Sequence, residues 1–167
     1  MSAISASQVK ELREKTGLGL MDCKKALEEA NGDIDLAIEE LRKTSGIKAS
    51  KKSGRSAADG LIGITNRDKD FFMIEVNCET DFVARDDSYI NFTKETLDTY
   101  SNNPSHSLEQ LLESGVDDNR EKLVQKLGEN IVVRRLAKSD DSSINGSYLH
   151  SNNKIGCIVS LEGGDEA

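Results

Sequence analysis

The chain has 167 residues, and 22 Lys and Arg stand against 30 Asp and Glu for a net charge of −8. Such an acidic chain argues against general nucleic-acid binding, which relies on cations that neutralise phosphates. No apolar run approaches the roughly 20 residues that span a bilayer, and Met1 to Leu12 reads neither as a secretory signal nor as an Arg-rich transit peptide. Cys23, Cys78 and Cys157 are too few and too far apart for a disulfide framework or a zinc ligand set, so a reducing cytoplasm is expected.

The charge is uneven along the chain. Met1 to Ser56 carries eleven basic and nine acidic residues, a balance of +2, whereas Ala57 to Ala167 carries eleven and twenty-one, a balance of −10. Arg42, Lys43, Lys48, Lys51, Lys52 and Arg55 follow one another without an intervening acid. Ser50 to Arg55 is too polar to build a packed core and reads as a linker with a helical start. It is either simply solvated or the complement of an acidic partner surface.

Before the linker the apolar period is helical. Ser5 and Gln8 have capping-box spacing, and Val9 and Leu12 share a face of the helix that follows. Thr16-Gly17-Leu18-Gly19 breaks it. Leu20, Cys23, Leu27 and Ala30 form a second stripe that stops at Asn31-Gly32. Asp33 can cap a third helix bearing Ile34, Ala37, Ile38 and Leu41. Three short helices with tight turns make a minimal bundle.

After the linker the period changes to two. Leu61 to Thr65 and the alternating Phe72, Ile74, Val76 and Cys78 read as strands joined by a turn over Asn66 to Asp70, with Cys78 in the core. Asp86 or Ser88 can start a helix carrying Tyr89, Phe92, Thr96 and Tyr100. Ser101 to Ser107 reads as a loop, and helices are expected over Leu108–Leu112 and Asn119–Leu127. Ile131 to Ala137 reads as a strand with Arg134 and Arg135 on opposite faces. Gly146 to His150 and Ile155 to Glu162 echo the first hairpin, with a tighter turn. A lone hairpin is marginal in water. This one either extends the first sheet or begins a repeat that is cut short at Ala167.

Little of the chain resembles catalytic machinery. A phosphate loop, a His-Glu-x-x-His and a Cys-x-x-Cys are all missing, and His106 and His150 fall in surface-like segments. A thiol enzyme built on Cys78 or Cys157 would need a cationic setting, whereas both fit strand interiors. No catalytic residue, metal site or cofactor is expected. The unusual feature is Thr80-Asp81-Phe82-Val83-Ala84-Arg85-Asp86-Asp87, an aromatic residue among acids directly after a buried strand. Either Phe82 folds back onto the core while Thr80 or Asp81 caps a helix, or it is an exposed anchor flanked by charge.

The stretches Leu12 to Leu27, Glu75 to Ala84, and Gly128 to Ile131 with Arg134-Arg135 resemble motifs of the elongation factor Ts family, and the likeness runs nearly end to end. The resemblance implies an α+β protein: a three-helix ubiquitin-associated-like domain over 1–54 with the basic linker at its end, a core subdomain over 55–140 with an antiparallel sheet covered by helices, and the start of a second, incomplete core subdomain over 141–167. It implies a guanine nucleotide exchange factor, not an enzyme, whose partner is elongation factor Tu, with no direct role for nucleic acid or membrane. Thr80, Asp81, Phe82 and Val83 map onto the stretch that enters the GTPase near its magnesium site. Val9, Leu12, Leu20 and Met21, near the Gly-Leu-Gly turn, are the positions through which the helical domain would dock. The alternative from another class is a helical module that binds a peptide or ubiquitin-like partner without exchange activity.

Overall fold

The computed structural model describes residues 4–140 and 144–163, and it divides into two compact units. One contains residues up to Gly54 together with Glu121–Glu129, and the other contains Arg55–Arg120 and the residues from Asn130 onward. The expected segment over 141–167 groups, where it is described, with the second unit. Among the described residues no helix is long and apolar enough to cross a membrane.

In the first unit, α1 (Ala6–Thr16) opens on a reciprocal capping box. Gln8 N–H donates to Ser5 Oγ at 3.2 Å, while the Ser5 N–H donates to Gln8 Oε1 at 3.0 Å. Gly17 ends the helix in the left-handed conformation at φ 68°. The second helix, α2 (Leu20–Glu29), and α3 (Ile34–Lys52), capped by Asp33 on the Leu36 N–H at 3.0 Å, complete the bundle. Its core is Val9, Leu12, Leu18, Cys23, Ala26, Leu27, Ala30, Ala37 and Leu41, with Ile4, Ile34 and Ile38 packed against them. The stripes at three- and four-residue spacing therefore meet each other.

The third helix is longer than its apolar stripe foretells. It runs 19 residues to Lys52 and takes up the first half of the expected linker. Leu41, Ser45 and Ala49 stand four residues apart and are all buried. Ser45 Oγ hydrogen-bonds Gln125, and Lys52 Nζ donates to the Gly128 carbonyl at 2.6 Å. Residues 121–129 of the same unit therefore give this polar helical face a partner, one about 80 positions away in sequence.

The second unit is built on an antiparallel sheet in the order β1 (Asp59–Arg67), β2 (Asp70–Cys78), β3 (Val132–Lys138). Phe72, Ile74, Val76 and Cys78 are buried on one face. They lie under α5 (Asp87–Asn102), which buries Tyr89, Phe92, Leu97 and Tyr100. Phe72 and Tyr100 meet edge to face at 5.5 Å. The short α4 (Asp81–Ala84) links β2 to α5, and α6 (Leu108–Leu111) leads across a kink at Gly115 (φ 103°) into α7 (Asp117–Leu127).

Three local expectations need correction. Arg134 and Arg135 do not divide between two faces, because the β2–β3 register shifts between Glu75 and Val76 and leaves Arg134 as the extra residue of a bulge. Both guanidinium groups consequently reach Glu75, at 3.7 Å for Arg134 and in closer contact for Arg135. The first hairpin, not the second, has the tighter turn: Arg67 pairs with Asp70 around Asp68 and Lys69, with Asp68 at φ 52°. Cys157 lies within a strand, as expected, but is exposed. It belongs to the second hairpin, β4 (Ile144–Leu149) and β5 (Gly156–Leu161), which is a separate two-stranded sheet and leaves one face open.

That hairpin is fastened to β1 by groups near its turn. The Ile62 N–H donates to the Asn153 carbonyl at 2.7 Å, and Lys154 Nζ bonds both Asp59 carboxylate oxygens at 2.7 and 2.9 Å. The Lys154 ammonium, helped by the Gly60 N–H, holds the Asp59 carboxyl below its ordinary value of 3.8. A depressed carboxyl contributes its stability above that ordinary value and loses it as pH falls through the lowered one. Ile62 amide protection should therefore persist at neutral pH and weaken below about pH 3.8, after correction for intrinsic exchange. In Lys154→Met it should be weak already at neutral pH, with little further acid dependence, as hydrogen exchange will measure.

Gly60 is required where β1 begins. Its φ is 150°, and a Cβ there would stand 2.2 Å from the Val76 carbonyl oxygen and 2.8 Å from Asn77 Cα, both backbone atoms that cannot swing away. Gly60→Ala should cost about 3 kcal/mol in urea unfolding, from strain plus displacement of the β2 ladder.

Candidate functional site: an exposed phenylalanine on a capped helical turn

Chain geometry alone explains why Phe82 projects. The buried side of β2 ends at Cys78, after which Thr80 adopts an extended conformation (φ −131°, ψ 158°) and caps α4, its Oγ1 accepting the Val83 N–H at 3.4 Å. The Ala84 N–H bonds the Thr80 carbonyl at 3.2 Å, and the Arg85 N–H bonds that of Phe82 at 3.2 Å. Val83 and Ala84 are buried at 9% and 3% exposure, so a single turn of helix must aim the preceding side chain outward. Phe82 is 81% exposed. Its ring does not fold back onto the core.

Both ends of the turn are fixed. Cys78 Sγ donates to the Thr80 carbonyl at 3.2 Å on one side, and on the other the Asp86 side chain caps α5 through the Ser88 N–H at 2.7 Å. One turn into α5, the buried Tyr89 hydroxyl donates to the Val76 carbonyl at 2.6 Å and ties the helix to the strand. Burial pushes the Tyr89 phenol far up, so the hydroxyl keeps its proton and remains a donor. Asp81 pairs with Arg85 at 2.8 Å beside the ring, and both side chains are well exposed. The arrangement offers an aromatic anchor with a charged rim. Among the described residues no group of three or more His, Cys, Asp or Glu could hold a metal.

The four residues singled out from sequence thus have distinct positions: Thr80 caps, Asp81 pairs, Phe82 projects and Val83 anchors. The helical-unit candidates also divide. Val9 and Leu12, at 7% and 0% exposure, belong to the bundle core, whereas Leu20 and Met21 open α2 at 54% and 71%. Leu18, between the two glycines, is itself buried, which an apolar residue inside an otherwise polar turn could have signalled. Asp22 beside Met21 pairs with Lys48 at 3.1 Å. His150 is exposed and bonds the Tyr148 hydroxyl at 2.7 Å, while His106 is half-buried rather than at the surface. The outer face of the second hairpin leaves Tyr148, Val159 and Leu161 about half exposed, which strand alternation read for a packed hairpin does not foretell.

The burial contrast separates neighbours by a stability measurement. Phe82→Ala should shift the unfolding free energy by less than about 0.5 kcal/mol, because an exposed ring leaves no cavity. Val83→Ala, one residue on, should cost roughly 2 kcal/mol. Paired urea titrations check both values.

Comparison with known proteins bears on the same stretch. Residues 79–167, beginning just before this turn, match the family described as Elongation factor TS. The chain is 51% identical over 168 residues to elongation factor Ts of Marinobacter nauticus and 52% identical over 167 residues to that of Hahella chejuensis. Each alignment covers 99% of this chain and 58% of the relative. Elongation factor Ts of Arthrospira platensis is 47% identical over 175 residues, covering all of this chain and 70% of the relative. The chain thus spans 58% of the length of the first two relatives.

Proposed function

The chain belongs to the elongation factor Ts family, and on that premise we propose that it binds elongation factor Tu carrying GDP in the cytoplasm and promotes release of the nucleotide. The observation that carries this reading is the solvent-facing Phe82 on a turn whose backbone is capped and tied at both ends. A GTPase holds GDP through phosphate contacts and a magnesium ion that neutralises phosphate charge. A rigid aromatic group inserted near that ion displaces the elements that hold it. Linkage then requires that bound nucleotide weaken the factor as much as the factor weakens the nucleotide. Such a factor works by binding energy and needs no catalytic base, cofactor or metal of its own.

A second contact through the helical unit fits the same reading. Leu20 and Met21 are exposed apolar side chains at the start of α2. Val9 and Leu12 act behind them as support, because burial removes them from any partner. The competing reading is a helical module for a peptide or ubiquitin-like partner, and it would rest on Leu20 and Met21 beside the Gly-Leu-Gly turn.

The test mixes this chain with elongation factor Tu loaded with fluorescent GDP and follows release against excess unlabelled nucleotide. The intact chain should accelerate release. Phe82→Ala should lower that acceleration about thirtyfold, the loss of a hot-spot contact of roughly 2 kcal/mol. Equal acceleration by both proteins would overturn the wedge. Undiminished binding of another partner, with no effect on release, would favour the module.

A further inference from the structure

A ring that is 81% exposed has almost no neighbours to orient it, so its direction must come from the backbone that leads into it. The residue immediately before the Thr80 cap is Glu79. Its Oε1 accepts the Asn130 backbone N–H at 2.7 Å and lies 3.5 Å from the Arg55 guanidinium. Asn130 is 2% exposed, and its Nδ2 donates to the Arg55 carbonyl at 2.8 Å, which closes a small ring of interactions around the Glu79 carboxylate. Arg55 and Asn130 are the first residues of the two chain segments that compose this unit. One carboxylate therefore ties both points of entry to the root of the aromatic turn.

We propose that Glu79 is a positioning residue for Phe82: by accepting the buried Asn130 amide beside Arg55 it fixes the path of residues 79–81 and thereby the direction in which the ring leaves the protein. This rests on the reading of Phe82 as a wedge. Cys78 and Thr80 fix the turn internally, and the Tyr89 hydroxyl holds α5 to β2. Glu79 joins the turn's root to the segment that leads into β3, through Asn130. The geometry also separates its two contacts. A glutamine keeps an oxygen for the Asn130 N–H and loses only the charge beside Arg55, whereas an alanine removes the Glu79 acceptor altogether.

Two measurements test the proposal, the first with the free chain. Hydrogen exchange at the Ala84 and Arg85 amides should accelerate about tenfold in Glu79→Ala, stay near the unmodified rate in Glu79→Gln, and leave the Ile74 amide of β2 unchanged. The second is a cycle in the nucleotide-release assay. Glu79→Ala alone should slow stimulated release about fivefold, and it should add nothing once Phe82 is alanine. Unchanged α4 amides, equal acceleration at Ile74, or a further loss on top of Phe82→Ala would each overturn the positioning role. If Phe82→Ala itself leaves release unaltered, the exchange-factor reading fails, while the free-chain exchange rates still decide whether Glu79 holds the turn.

Discussion

A single turn of helix can bury only one side, and the second unit is organised around that constraint. Thr80 starts α4 directly where β2 leaves the core, and Val83 and Ala84 take the interior positions. Phe82 is left on the water side with about 150 Å² or more of aromatic surface available to a partner. An aromatic side chain in that position adds nothing to folding, yet its backbone is held by a cap, by the Cys78 thiol and by the start of α5. Exposure and rigidity coincide at this residue. Together they reduce the ordering cost that otherwise offsets interface contacts.

The sheet supplies the rigidity. Tyr89 reaches from α5 to the Val76 carbonyl, and Phe72 packs edge to face with Tyr100 at the other end of the same helix. The strand that carries the turn is thereby fixed at two heights against the helix that follows it. On the opposite strand, the bulge at Arg134 brings two guanidinium groups to Glu75, and Arg134 also bonds Asn77 and the Ala57 carbonyl. Charge concentrates around the last residues of β2, while the apolar face of the strand stays dry.

The helical unit follows another logic. Its core is made from its own three helices, so its fold is set by local periodicity, and its exposed apolar residues are confined to a few positions such as Leu20 and Met21. The basic stretch after Leu41 is less free than its composition implies. Lys43 pairs with Glu39 and Glu40, Lys48 with Asp22, Lys52 with the Gly128 carbonyl and Arg55 with Glu79. Glu39 and Glu40 lie within a turn of Lys43, whereas Asp22, Gly128 and Glu79 are brought to the run by the fold, and an acidic partner is not needed to account for it.

Periodicity and cap chemistry determine most of what this chain does locally. Ser5 with Gln8, Gly17, Asp33 and Thr80 act within a few residues of themselves, so their effects were legible without any knowledge of the fold. The alternation of Phe72, Ile74, Val76 and Cys78 likewise reports a strand with one buried face, because side chains two apart must share a side. What sequence left open at Phe82 was its direction, since the same string suits a ring folded inward or turned outward. Only the packing of Val83 and Ala84 decided it. The length of α3, the bulge at Arg134 and the meeting of Glu79 with Asn130 depend on partners 51 to 80 residues away. Local pattern carries no information about such distances, because the chain brings those groups together only after the sheet and helices have packed.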